Sequence, residues 1–136
     1  MARITVWLFI EATDLSVEEM AARIGLAPDT SWRIGDQRGR TGKAYETNSW
    51  CLESVLDGIV ENPLSVGMEF ESKLNAVLRR VGDHAEGFRS VASGRSAGVY
   101  VGVTAAKAPA LELSATTISA LSRVGVDMEI DLMLGE

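Results

Sequence analysis

Apolar residues alternate with polar or aromatic ones from residue 3 to residue 11. Ile4, Val6, Leu8 and Ile10 fall on one side, and Arg3, Thr5, Trp7, Phe9 and Glu11 on the other. A period of two predicts a strand. Ser16-Val17-Glu18-Glu19 then has the form of a capping box, with Leu15 and Met20 at the staple positions. The helix it opens carries Val17, Met20, Ala21 and Ile24 along one stripe, and Gly25 followed by Pro28 stops it.

From Ala27 to Asn48 no period survives, which predicts a loop of about twenty residues, long for a compact domain and of a kind that is often functional. Trp50 to Ser54 reads as a second strand, and Asp57-Gly58 and Asn62-Pro63 are turn signals. A second helix places Phe70, Leu74, Val77, Leu78 and Val81 on one stripe. Glu69 and Glu71 near its start and Arg79 and Arg80 near its end suit the helix dipole, and Gly82 is the stop. Asp83 to Glu86 can cap a further short helix through Val91, interrupted by Gly87. Val99, Val101 and Val103 alternate with Gly98, Tyr100 and Gly102 in a third strand, and Lys107 to Ala110 turns the chain. Ser114 caps a helix with Ile118, Leu121 and Val124 expected inward and Gly125 as its stop, although Thr116 and Thr117 are weak helix formers. In the last strand Val126, Met128, Ile130, Leu132 and Leu134 share one side, and Asp127, Glu129 and Asp131 the other.

This order of elements describes one α+β domain over residues 1–136: a two-layer sandwich whose sheet has about four strands, largely antiparallel, with helices on one face. Its uncovered face would collect Trp7, Phe9, Cys51, Glu53, Tyr100, Asp127, Glu129 and Asp131, a set that a one-residue slip in register would disperse.

Composition narrows the function classes. With 13 Lys and Arg against 19 Asp and Glu the formal charge is −6, which repels a phosphate backbone, so a nucleic-acid partner is not expected. At 46% hydrophobic and 24% charged, the chain is neither a collagen, a coiled coil nor a disordered tail. One cysteine excludes an internal disulfide. Glu11 closes the apolar run from Ile4 too early for a signal peptide, and no stretch approaches the roughly 18 apolar residues that span a bilayer. A cytoplasmic location without a membrane partner is expected.

Candidate chemistry is sparse. Cys51 and His84 form the sole Cys/His combination, and nothing flanking them suggests an activated thiol. Gly42-Lys43 would suit a phosphate loop, but Gln37 and Ala44 stand where a Walker A motif needs Gly and Ser or Thr. Glu53, Asp127, Glu129 and Asp131 could converge on a hard cation, but strand-face carboxylates commonly serve to blunt edge pairing. One Cys and one His cannot build the usual zinc site. No catalytic residue, metal or cofactor is therefore assigned. The densest unusual feature is the basic stretch from Thr30 to Lys43, with Arg33, Arg38, Arg40 and Lys43 beside Trp32. It suits phosphate, a single-stranded nucleic acid or an acidic protein surface, unless Trp32 merely anchors the loop, Asp36 caps its turn and the arginines pair with the protein's own carboxylates.

Several pieces resemble a bacterial family catalogued as domain of unknown function 4279. They are Ser16-Val17-Glu18-Glu19, Gly25-Leu26-Ala27-Pro28, Ser31-Trp32-Arg33-Ile34-Gly35-Asp36, Ser49-Trp50-Cys51-Leu52-Glu53-Ser54 and Gly125-Val126-Asp127-Met128-Glu129-Ile130-Asp131. The resemblance implies a small α+β domain and, since the family has no assigned activity, carries no catalytic residue across. The expected function is a non-enzymatic protein-interaction module, of immunity or regulatory type. Its partner would be another protein, or a second copy bound through Trp7, Phe9 and Tyr100. The alternative is a small-ligand or nucleotide-binding domain that uses the basic loop over residues 30–43.

Overall fold

β1 (Ala2–Ala12) runs through the middle of the sheet in the computed structural model, which describes residues 2–54, 59–60 and 65–135. It pairs antiparallel with β3 (Asn48–Glu53) on one side and β5 (Ser96–Ala105) on the other. β2 (Thr30–Trp32) lies outside β3, antiparallel to it, and β6 (Met128–Leu134) lies outside β5. The two-residue β4 (Ile59–Val60) pairs with the start of β1. The helices are α1 (Val17–Ile24), α2 (Val66–Gly82), α3 (Ala85–Ala92) and α4 (Ala115–Val124). The sheet thus has more strands than the four expected, the additions being β2 and β4, and it is mixed. β6 runs parallel to β5 because α4 crosses between them, the kind of connection that a parallel pair requires. The turn signals at Asp57-Gly58 and Asn62-Pro63 lie outside the described residues.

Local signals explain the helix ends. Ser16 Oγ accepts from the Glu19 amide (3.0 Å), and Glu19 Oε1 accepts from the Ser16 amide (3.1 Å), completing the capping box. Ser114 Oγ likewise accepts from the Thr117 amide, and the Gly125 amide closes α4 onto the Leu121 carbonyl. Gly87, which interrupts the α3 pattern, is a contact point. A Cβ there would stand 2.7 Å from the Arg23 carbonyl oxygen, so α3 reaches the end of α1 only without a side chain at that position.

One core forms. Ile4, Val6, Leu8 and Ile10 of β1 join Trp50 and Leu52 of β3, Val99, Val101 and Val103 of β5, and Phe70, Leu74, Val77 and Phe88 of the helices. Trp50 is fully buried, tilts against Phe88 at 5.8 Å between ring centroids, and donates its indole N–H to the Leu26 carbonyl (2.9 Å). Two expectations need correction. α4 turns Thr117 inward to hydrogen bond with Asn75 of α2 (3.0 Å), leaving Ile118 52% exposed and Leu121 partly buried. In β6, Met128 packs on the core, but Ile130, Leu132 and Leu134 are 39%, 43% and 56% exposed, because β6 lies at the edge of the sheet with β5 as its one strand partner among the described residues. Among the described residues no helix is long and apolar enough to cross a membrane.

Candidate functional site

The register of the central strands decides which side chains share the second face of the sheet. Trp7 lies opposite Glu53 on one side and Tyr100 on the other, Phe9 between Cys51 and Gly98, and Glu11 between Ser49 and Ser96. Beyond Tyr100 comes Glu129, and beyond Gly102 comes Asp131. Trp7, Phe9 and Tyr100 are half-buried. The two glycines explain how the aromatics are seated. A Cβ on Gly98 would touch the Phe9 ring (3.7 Å), and one on Gly102 would press on the Tyr100 ring (3.3 Å), so the rings lie across bare backbone. Tyr100 donates its hydroxyl to Asp131 (3.1 Å) and tilts against Trp7 at 6.1 Å between centroids. Its pKa is raised by partial burial, by this hydrogen bond and by the charges of Asp131 and Glu129.

Beside this face the expected long loop is largely ordered as a hairpin, which corrects the loop prediction. The Tyr45 amide donates to the Asp36 carbonyl (2.8 Å), the Gly35 amide to the Tyr45 carbonyl (2.9 Å) and the Arg38 amide to the Lys43 carbonyl (2.8 Å). Gln37 and Ala44 form a bridge, and a short 3-10 turn spans Gly39–Thr41. At the hairpin's root, Asn48 accepts from the Ile34 amide (2.9 Å) and donates to the Leu15 carbonyl (3.0 Å). Trp32 stacks on Tyr45 at 4.6 Å, with the rings 16° apart, and the Arg38 guanidinium lies 5.2 Å from the Tyr45 ring centre. A cleft of about 390 Å³ between hairpin and sheet is lined by Trp7, Trp32, Asp36, Tyr45, Cys51 and Glu53. A neighbouring cleft of about 640 Å³ is lined by Glu11, Trp32, Arg38, Lys43 and Tyr45. Asp29 pins the root of this region. It accepts from the two terminal guanidinium nitrogens of Arg80, Nη1 and Nη2 (2.8 Å for Nη2 to Oδ1), and from the Glu53 amide (2.9 Å). Chiefly through Arg80, its carboxyl is held below the ordinary range.

The candidate residues therefore fall into groups. Trp7 and Trp32 meet across one cleft, with Asp36 on its wall, and Trp7 continues into Tyr100, with Phe9 on the same face. Arg38 and Lys43 line the second cleft. Arg40 is exposed in the hairpin's 3-10 turn. Arg33 turns away to an ion pair with Glu18 of α1, which lowers the Glu18 pKa. Asp36 accepts the Arg33 amide (2.8 Å) and shapes the turn. Tyr45 and Glu11 were not singled out from the sequence. Tyr45 could have been found from its placement, since it and Trp32 flank the glycine-rich turn and become neighbours once the hairpin closes.

The weaker chemical candidates separate in space. Cys51 lies on the aromatic face, whereas His84 packs against Gly25 at the end of α1. Burial, with help from Glu53 and Asp29, pushes the Cys51 thiol up to about 12, so it is not a thiolate nucleophile at neutral pH. Glu53 on β3 is separated from Glu129 and Asp131 on β6 by two intervening strands, roughly 14 Å at ordinary strand spacing. Among the described residues no group of three or more His, Cys, Asp or Glu could hold a metal ion.

The arrangement is a sheet face of aromatic rings and carboxylates in a small α+β domain, flanked by a hairpin that carries Arg38, Arg40 and Lys43. The profile of the family described as Domain of unknown function (DUF4279) matches residues 2–135, so the chain belongs to that family. No curated protein and no solved structure matches it.

Proposed function

We propose that the protein is a binding module whose aromatic sheet face receives a basic surface of a partner protein, without catalysis. The observation that carries this reading is the single face on which half-buried Trp7, Phe9 and Tyr100 lie among Glu11, Glu53, Glu129 and Asp131. Lysine or arginine side chains suit both components, stacking on the rings and pairing with the carboxylates, and the net charge of −6 steers such a partner in. In this reading α1 to α4 all lie on the side of the sheet to which Ile4, Val6, Leu8 and Ile10 point, making two layers and leaving the aromatic face free. An immunity or regulatory role would follow from the partner's identity.

The test is capture of partners by the tagged full-length chain from lysate, with and without nuclease. The expected result is one nuclease-insensitive protein at near-equal stoichiometry, lost in Trp7→Ala/Tyr100→Ala while the circular dichroism spectrum is kept. Capture unchanged by that double substitution would refute the assignment of the face.

A second reading is favoured by the two clefts beside the stacked Trp32 and Tyr45, where Arg38 and Lys43 could receive a phosphorylated small ligand. Arg33 contributes little to it, being engaged with Glu18. A thermal shift with ATP or inorganic phosphate that disappears in Arg38→Ala/Lys43→Ala would support this reading, and an unchanged melting temperature in the wild type would end it.

A further inference from the structure

Among the described residues β6 is the last strand of the sheet on the β5 side, and of the devices that usually protect an edge it carries the carboxylates Glu129 and Asp131. Its sequence, Met128-Glu129-Ile130-Asp131-Leu132-Met133-Leu134, has no proline, no lysine and no glycine. The direction of its backbone groups can be read from its ends. The Asp127 carbonyl accepts the Val99 amide (2.9 Å) and the Gly135 amide donates to the Ala105 carbonyl (3.0 Å), so the odd-numbered residues turn their peptide groups toward β5. Strand alternation then points the N–H and C=O of Met128, Ile130, Leu132 and Leu134 outward. The two side-chain rows differ in kind. One carries Ile130, Leu132 and Leu134, each more than a third exposed, and the other carries Glu129 and Asp131 followed by Met133, which is 47% exposed.

We propose that the outer edge of β6 is a strand-addition site for an extended segment of a partner protein in which apolar residues alternate with lysine or arginine. Added antiparallel, such a segment would satisfy the four outward peptide groups. Its apolar residues would lie beside Ile130, Leu132 and Leu134, and its cations beside Glu129 and Asp131. Charge chooses this occupant: the exposed carboxylates favour a basic strand and disfavour an acidic one. Seven residues at strand rise span about 23 Å, so a segment of about seven residues fills the edge. The inference deepens the reading of the protein as a binding module and rests on it, but it assigns a different part of the surface.

The experiment uses the full chain and three synthetic peptides: seven residues alternating lysine and valine, the same with glutamate for lysine, and a peptide of the first composition with its lysines grouped. Hydrogen exchange by NMR and fluorescence anisotropy are the readouts. The expected result is saturable binding of the alternating lysine peptide, about tenfold or more tighter than either control. The amides of Met128, Ile130, Leu132 and Leu134 should become protected. Leu132→Pro removes an outward-pointing donor and one side chain of the apolar row while leaving the hydrogen bonds to β5 in place, and should abolish binding. Ile130→Lys, which places a cation on the apolar row, should weaken it and serves if the proline variant does not fold. Equal binding of the grouped peptide, or protection elsewhere, would overturn the proposal. So would light scattering that shows a dimer dissociated by Leu132→Pro, because the occupant would then be a second copy. If no peptide binds while capture still depends on Trp7 and Tyr100, the edge assignment fails and the face assignment stands.

Discussion

β1 and β6 carry the same alternation of apolar and polar residues and meet different fates. Ile4, Val6, Leu8 and Ile10 are wholly buried, whereas Ile130, Leu132 and Leu134 stay 39–56% exposed. The difference comes from position. β1 lies inside the sheet between β3 and β5 with α2 packed against it, whereas β6 lies at the edge with β5 as its one strand partner among the described residues. An apolar row on a strand therefore states which side avoids water, and its place in the sheet decides whether the protein itself supplies the cover.

The largest expected effect tests this contrast directly. Leu8→Ala should cost about 3 kcal/mol in urea denaturation, while Leu132→Ala should cost under about 1 kcal/mol, because its site is already wet. Equal losses would mean that the β6 row is covered in solution.

A second contrast sets Asp29 against Asp131. Asp29→Asn leaves Arg80 and the Glu53 amide with a poorer acceptor and should cost on the order of 1–2 kcal/mol at pH 7. Asp131→Asn should change stability by less than about 0.5 kcal/mol. The Asp29 carboxyl titrates lower when folded than when unfolded, so its stabilisation is complete above its unfolded value, about 3.9. That stabilisation is lost as pH falls through the folded value, and the gap between wild type and Asp29→Asn should close below about pH 4.

Smaller effects sharpen the picture of the aromatic face. Asp131→Asn should lower the titration midpoint of Tyr100, read from tyrosinate absorbance, since the carboxylate is one of the groups that raise it. Cys51 should resist a thiol-specific chromogenic reagent at pH 8 until denaturant is added.

Much of the fold is legible where the signal is local. The Ser16 box, the Ser114 cap, the β1 and β5 alternations and the α2 stripe each depend on residues within a few positions of one another. What the sequence does not reveal is non-local. Thr30-Ser31-Trp32 is too short to display a period and becomes a strand only against Ser49, Trp50 and Cys51. The outward turn of Ile118 follows from the hydrogen bond between Thr117 and Asn75, 42 positions apart. The candidate site divides the same way. Trp7, Phe9 and Tyr100 share a face by alternation alone, whereas the meeting of Trp7 with Trp32 and the distance of Glu53 from Asp131 depend on strand order.

Trp50, donating to the Leu26 carbonyl from a fully buried position, has an optical consequence. It is shielded from solvent while Trp7 and Trp32 are only half-buried, so the three indoles form two spectral populations. The chain carries its own dyes: acrylamide should dim the red-shifted pair first, and a blue-shifted remainder would report on the core while the other two report on whatever settles over the sheet.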